Sequence, residues 1–212
     1  MRSTIFSLFV VVGQVFAHFK VEHPPWRGDS LAENTTYSQW SYPCAGVPYG
    51  AGNTTEWPIQ GGSVVLDLHH PWSYLYINLG LGENSTNFNI SLTPDLLNVT
   101  GSGTFCIPVL PVPTTVADSQ IATIQFVTNG ESGSALYNCA DIVFKSSAEP
   151  LSGGSCANTT GVTATTVGQT IATNTSCNST STTNGSPILA LGSSYQAAAL
   201  GVVIAFILVV VM

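Results

Sequence analysis

The chain has 212 residues, 44% hydrophobic and only 7% charged, with 4 Lys and Arg against 11 Asp and Glu and a formal charge of −7 at pH 7. So few cationic side chains cannot neutralise a run of phosphates, which excludes nucleic acid as a partner. The length suffices for one domain with a sizeable core plus further segments.

Residues 1–17 contain one basic residue, Arg2, then an apolar run from Ile5 to Val12 and the triplet Val15-Phe16-Ala17. That order reads as a secretory signal peptide, and cleavage after Ala17 makes His18 the first residue of the mature chain. A terminal histidine offers two nitrogens, the α-amine and imidazole Nδ1, which close a six-membered chelate ring. One further imidazole completes a T-shaped set of three nitrogens, suited to the tetragonal preference of copper.

Residues 18–150 read as one β-rich domain. Short runs of β-branched and aromatic residues (63–68, 74–79, 88–92, 120–127 and 135–144) are separated by Gly, Pro, Asn and Ser clusters. Alternation sets Ile121, Thr123, Gln125 and Val127 on one face and Ala122, Ile124 and Phe126 on the other. No stretch between the two ends shows a helical period. An all-β fold is expected, an antiparallel β-sandwich of the immunoglobulin-like or fibronectin-III-like kind, with a jelly roll fitting the pattern equally.

Residues 151–184 are rich in Ser, Thr, Asn and Gly and bury too little apolar surface to order themselves, so a disordered stalk is expected there. Residues 197–212 are uncharged and apolar, but shorter than the roughly 20 residues of a membrane span. A spacer at 187–196 and the small triplet Asn184-Gly185-Ser186 precede them. Small site, spacer and apolar tail form a GPI-attachment signal, with Asn184 as the attachment residue and 185–212 as a removed propeptide; a short tail anchor is the competing reading. The expected address is therefore the outer face of the plasma membrane or the cell wall. Asn-x-Ser/Thr sequons at Asn34, Asn53, Asn84, Asn89, Asn98, Asn158, Asn174 and Asn178 suit a glycosylated secretory protein. In that oxidising compartment Cys44, Cys106, Cys139 and Cys156 are expected to pair, with three connectivities open, and Cys177 is left over.

Four histidines are present: His18, His23, His69 and His70. The doublet follows the apolar run Val64-Val65-Leu66-Asp67-Leu68 and precedes Pro71, at a strand end where a loop can aim an imidazole. Alternation puts Leu66, Leu68 and His70 on one face and Val65, Asp67 and His69 on the other, so one of the pair can meet His18. His23, before Pro24-Pro25, reads as structural or exposed. Asp141 lies in the otherwise uncharged run 136–144, where a carboxylate is costly to bury unless paired or bound to a metal. Asp67 can instead point to solvent.

As an ordered set, several motifs resemble the fungal copper-acquisition proteins that are themselves similar to lytic polysaccharide monooxygenases. They are His18 after the signal, Tyr42-Pro43-Cys44-Ala45-Gly46-Val47-Pro48, Trp57-Pro58-Ile59 with Gly61-Gly62, His70 ahead of Tyr76-Ile77-Asn78-Leu79-Gly80-Leu81-Gly82, Cys139-Ala140-Asp141 and the GPI-like tail. Ala45 stands where that family usually has a glycine. The resemblance spans His18 to Cys156. It implies an immunoglobulin-like sandwich, disulfides Cys44–Cys139 and Cys106–Cys156, and one copper ion in a brace of His18 and His70, with Asp141 as an added ligand and His69 as the alternative to His70. It further implies capture of extracellular copper for uptake, with a copper transporter or wall polysaccharide as further partner, and no oxidative cleavage. The runner-up is a copper-dependent polysaccharide monooxygenase.

Overall fold

The computed structural model describes residues 18–130 and 133–168. The expected signal peptide, Asn174, Cys177, Asn178, Asn184 and the apolar tail lie outside the described residues.

Ten strands and one short 3-10 turn (Gly153–Ser155) account for the regular structure of those residues. The strands are β1 (Phe19–His23), β2 (Thr55–Pro58), β3 (Gly61–Leu68), β4 (Trp72–Leu81), β5 (Ile90–Ser91), β6 (Leu96–Thr100), β7 (Gly103–Pro111), β8 (Ile121–Asn129), β9 (Ala135–Lys145) and β10 (Thr163–Val167). One sheet runs β1-β3-β7; the other runs β10-β6-β4-β8-β9-β2, with β5 pairing β4. The expected all-β sandwich is the fold. Its pairings are antiparallel except that β2 lies parallel to β9.

The core lies between the sheets, where alternation drives one side chain in two inward. Phe19 and Val21 of β1 and Val64, Leu66 and Leu68 of β3 meet Leu75, Ile77 and Leu79 of β4, Ala122, Ile124 and Phe126 of β8 and Ala140, Ile142 and Phe144 of β9. Each large side chain so buried contributes about 1.5–3 kcal/mol relative to exposure. β7 holds Pro108 and Pro111 because it is an edge strand, where a missing N–H costs no ladder bond.

On the outward face of β8 and β9, Thr123 stands opposite Asp141 and Gln125 opposite Cys139. Segment 24–54, which has no strand of its own, covers this face. Cys44–Cys139 ties the segment to β9, Gln125 Nε2 donates to Pro43 O at 3.0 Å and Arg27 N to Cys139 O at 2.8 Å. The second disulfide is Cys106–Cys156, so both pairings implied by the resemblance are present.

The domain boundary expected at 150 falls inside this packing. Beyond it, Leu151 N donates to Ser63 Oγ, Asn158 Oδ1 accepts from Cys106 N, and β10 pairs along β6 from Thr163–Thr100 to Val167–Leu96. Ser- and Thr-rich composition suggested a stalk here. The same β-branched residues serve equally as an edge strand once a neighbour offers a ladder.

Candidate metal centre

β1 is the edge of the smaller sheet, with Phe19 opposite Leu68 and Lys20 opposite Asp67. The ladder runs one residue further, since His69 N donates to His18 O at 3.3 Å. His18 therefore faces His69, and in such a pair both backbone groups of a residue point at the partner strand. The nitrogen of His18 is thus turned toward the end of β3, where the doublet begins. Phe19 lies between ladder bonds, so its N–H and C=O point the other way.

Those two groups meet a buried side chain. Gln39, 1% exposed, accepts from Phe19 N through Oε1 at 3.2 Å and donates from Nε2 to Phe19 O at 2.7 Å. Its Nε2 also donates to Ser30 Oγ at 3.0 Å, Ser30 Oγ donates to Asn138 Oδ1 at 3.1 Å, and Asn138 Nδ2 closes the ring on Phe19 O at 3.3 Å.

The imidazole of His18 is half-buried and sits edge-on to Trp40, with ring centroids 6.5 Å apart. Burial, and secondarily the positive charge that His69 carries when protonated, hold its pKa below the ordinary value. His69 is exposed on the outer face, with its ring 3.2 Å from Asp67 Oδ2. His70 is buried at the turn into β4, beside Gly130, where an added Cβ would lie 3.6 Å from its Cγ. The alternation expected for the doublet therefore holds: outside for His69, inside for His70. His23 is at the far end of β1, about 16 Å along the strand from His18, stacked on Trp57.

Asp141 is 1% exposed, and its oxygens are taken by protein donors. Arg27 gives Nε at 2.9 and 3.0 Å and Nη2 at 2.7 Å, Thr123 Oγ1 donates at 2.9 Å and Gly50 N at 3.1 Å. Arg27 Nη2 also reaches Thr123, and Tyr49 covers the guanidinium, with its ring centroid 5.4 Å from Cζ. Among the described residues no three His, Cys, Asp or Glu side chains are gathered as a metal site. The structure thus brings His18 to the doublet, and binds Asp141 to Arg27 beneath segment 24–54.

Gln39, Ser30, Asn138 and Trp40 were not singled out by sequence. The one usable signal was for Arg27: a buried acid needs a cation, and the chain has only 4 Lys and Arg to choose from.

The imidazoles of His18 and of the doublet come to one strand end, and imidazole is a donor copper takes. Fold and donors together define the class, a copper-linked β-sandwich with histidines at the head of its first strand. The chain belongs to the family of BIM1-like copper acquisition factors, whose pattern matches residues 16–161. It is 34% identical over 170 residues to the lytic polysaccharide monooxygenase-like protein X325 of Aspergillus fumigatus, covering 65% of this chain and 69% of that one. To the protein of the same name from Hypocrea jecorina it is 33% identical over 169 residues, 71% of this chain and 73% of the relative. A lytic polysaccharide monooxygenase-like protein of Emericella nidulans shares 34% identity over 179 residues, 68% and 71% of the two chains.

Proposed function

We propose that the mature chain is a copper-binding protein of the outer cell surface, which captures extracellular copper as cargo for uptake and does not cleave polysaccharide. The observation that supports this most is the placing of His18 across the ladder from the doublet. The copper ligands are the α-amine and imidazole of His18 and the imidazole of His70. His70 is the preferred second ring because the resemblance implies it and it is buried at the strand end. His69 is exposed and engaged with Asp67. Asp141, implied by the resemblance as an added ligand, serves in this reading to hold segment 24–54 through Arg27.

The surface address rests on sequence: the 1–17 leader, the Asn184-Gly185-Ser186 triplet and the apolar tail. Asn34, Asn53, Asn84 and Asn89 are exposed and suit N-glycans. Asn98 is half-buried between β4 and β10, and the carboxamide of Asn158 holds Cys106 N and Val162 O, so these two are poorer acceptors.

One observation favours the runner-up. Trp40 and Tyr42 are 49% and 62% exposed, Trp40 beside His18 and Tyr42 edge-on to Tyr137. Exposed rings near a metal suit a sugar surface. Incubating the copper-loaded protein with chitin or cellulose and a reductant tests the choice. No oxidised oligosaccharides are expected; their appearance refutes capture without cleavage.

A further inference from the structure

The His18–Phe19 peptide group is held at both of its polar atoms. Its carbonyl oxygen accepts from His69 N, and its N–H donates to Gln39 Oε1. A strand that opens a chain frays unless something ties it down. β1 has a neighbour on one side only, and Gln39 takes the place of the missing strand on the other. The orientation of its carboxamide is forced, because Phe19 presents one donor and one acceptor. The second hydrogen of Nε2 passes to Ser30, and Ser30 and Asn138 complete a ring in which every member is buried and bonded. A partly satisfied ring at this depth is costly, so the geometry is held as a unit.

We infer that Gln39 is a positioning residue for the copper-holding end of the chain: by clamping Phe19 from the edge of β1, it fixes where the α-amine and imidazole of His18 point. With the first peptide plane pinned, the chelate retains only three rotations of His18: ψ, χ1 and χ2. Little order then remains to be imposed when a metal arrives, which is how pre-organisation raises affinity. The segment that carries Gln39 is anchored separately by Arg27–Asp141 and by Cys44–Cys139. Anchoring alone therefore does not account for a buried carboxamide aimed at the residue after His18. The inference rests on the copper reading given above, and it names a residue outside the ligand set.

The test compares the mature protein beginning at His18 with Gln39→Leu, which keeps side-chain volume and removes all of its hydrogen bonds. Two readouts are taken: Cu(II) affinity by competition with a chelator, and hydrogen exchange of backbone amides in the metal-free protein. The Cu(II) dissociation constant is expected to rise about 10–100-fold, as when a supporting partner of a ligand is lost. Exchange at the Phe19 amide is expected to quicken while that at Lys20, paired with Asp67 in the ladder, stays as in the parent. Unchanged affinity with unchanged Phe19 exchange overturns the inference. So does faster exchange along the whole of β1 in step with lost global stability, which marks a structural role only. If Gln39→Leu does not fold, Ser30→Ala removes one support of the carboxamide, and a smaller change of the same two readouts is expected, with no change overturning it. Failure of the parent protein to bind copper sinks the functional reading instead, and the exchange result still decides whether the clamp exists.

Discussion

Two buried polar clusters join segment 24–54 to the sandwich, and they differ in kind. The Arg27–Asp141–Thr123–Gly50 cluster is ionic and lies on the outward face of β8 and β9. The Gln39–Ser30–Asn138 cluster is neutral and closes on the backbone of Phe19. Judged by charge alone, the first is the metal site, since it holds the buried carboxylate. Yet Arg27 already cancels that charge, and the nitrogen donors stand beside the second. A buried acid marks a need for a cation, and a guanidinium meets that need as well as a metal does.

The comparison breaks most readily at Asp141. Asp141→Asn leaves Arg27 buried without its charge partner, so stability should fall by about 3–5 kcal/mol in urea unfolding, while the Cu(II) paramagnetic resonance spectrum stays as in the parent. An altered spectrum with little loss of stability would put Asp141 on the metal and dissolve the distinction. Replacing Cys44 and Cys139 by Ser frees the same segment covalently. It should cost about 2–5 kcal/mol and leave the copper spectrum unchanged once the protein is folded.

On the neutral side, His70→Ala should weaken Cu(II) binding by more than about 100-fold, beyond the cost of losing a supporting group, whereas His23→Ala should leave it nearly unchanged. If His69→Ala is damaging and His70→Ala mild, the outward imidazole is the ligand and the choice within the doublet reverses.

The smallest effect concerns pH. Burial holds the imidazole of His23 below its ordinary pKa of 6.5, and that of His18 likewise. The unfolded chain then takes up protons first, so stability is full above about pH 6.5 and declines as pH falls through that value toward the folded-state pKa. Thermal melting at about pH 7 and about pH 5 should show a smaller acid loss for His23→Gln than for the parent.

The larger part of the fold was legible because alternation is a local signal. The expected runs at 63–68, 74–79 and 135–144 fall within β3, β4 and β9, that at 120–127 begins one residue ahead of β8, and Ala122, Ile124 and Phe126 face the core as expected. The run at 88–92 shortens to the two residues of β5. β1, β2, β7 and β10 were not read, because short edge strands and strands containing Pro owe their form to a neighbour's ladder, and the five-residue β6 between β10 and β4 was not read either. Within the site, alternation separated His69 from His70, but the pairing that sets His18 across from the doublet was not legible because β1 was not. The partners of Asp141 and Phe19 did not, since Arg27, Ser30 and Gln39 lie in an irregular segment that sequence patterns do not position.

The central claim is that His18, as a chain terminus, supplies two of the copper nitrogens. It is tested most directly by titrating Cu(II) into protein that begins at His18 and into protein with one residue added before it. The account predicts one tightly held Cu(II) in the first and loss of tight binding in the second, because the added residue turns the amine into a peptide nitrogen. Equal affinity in the two would contradict it.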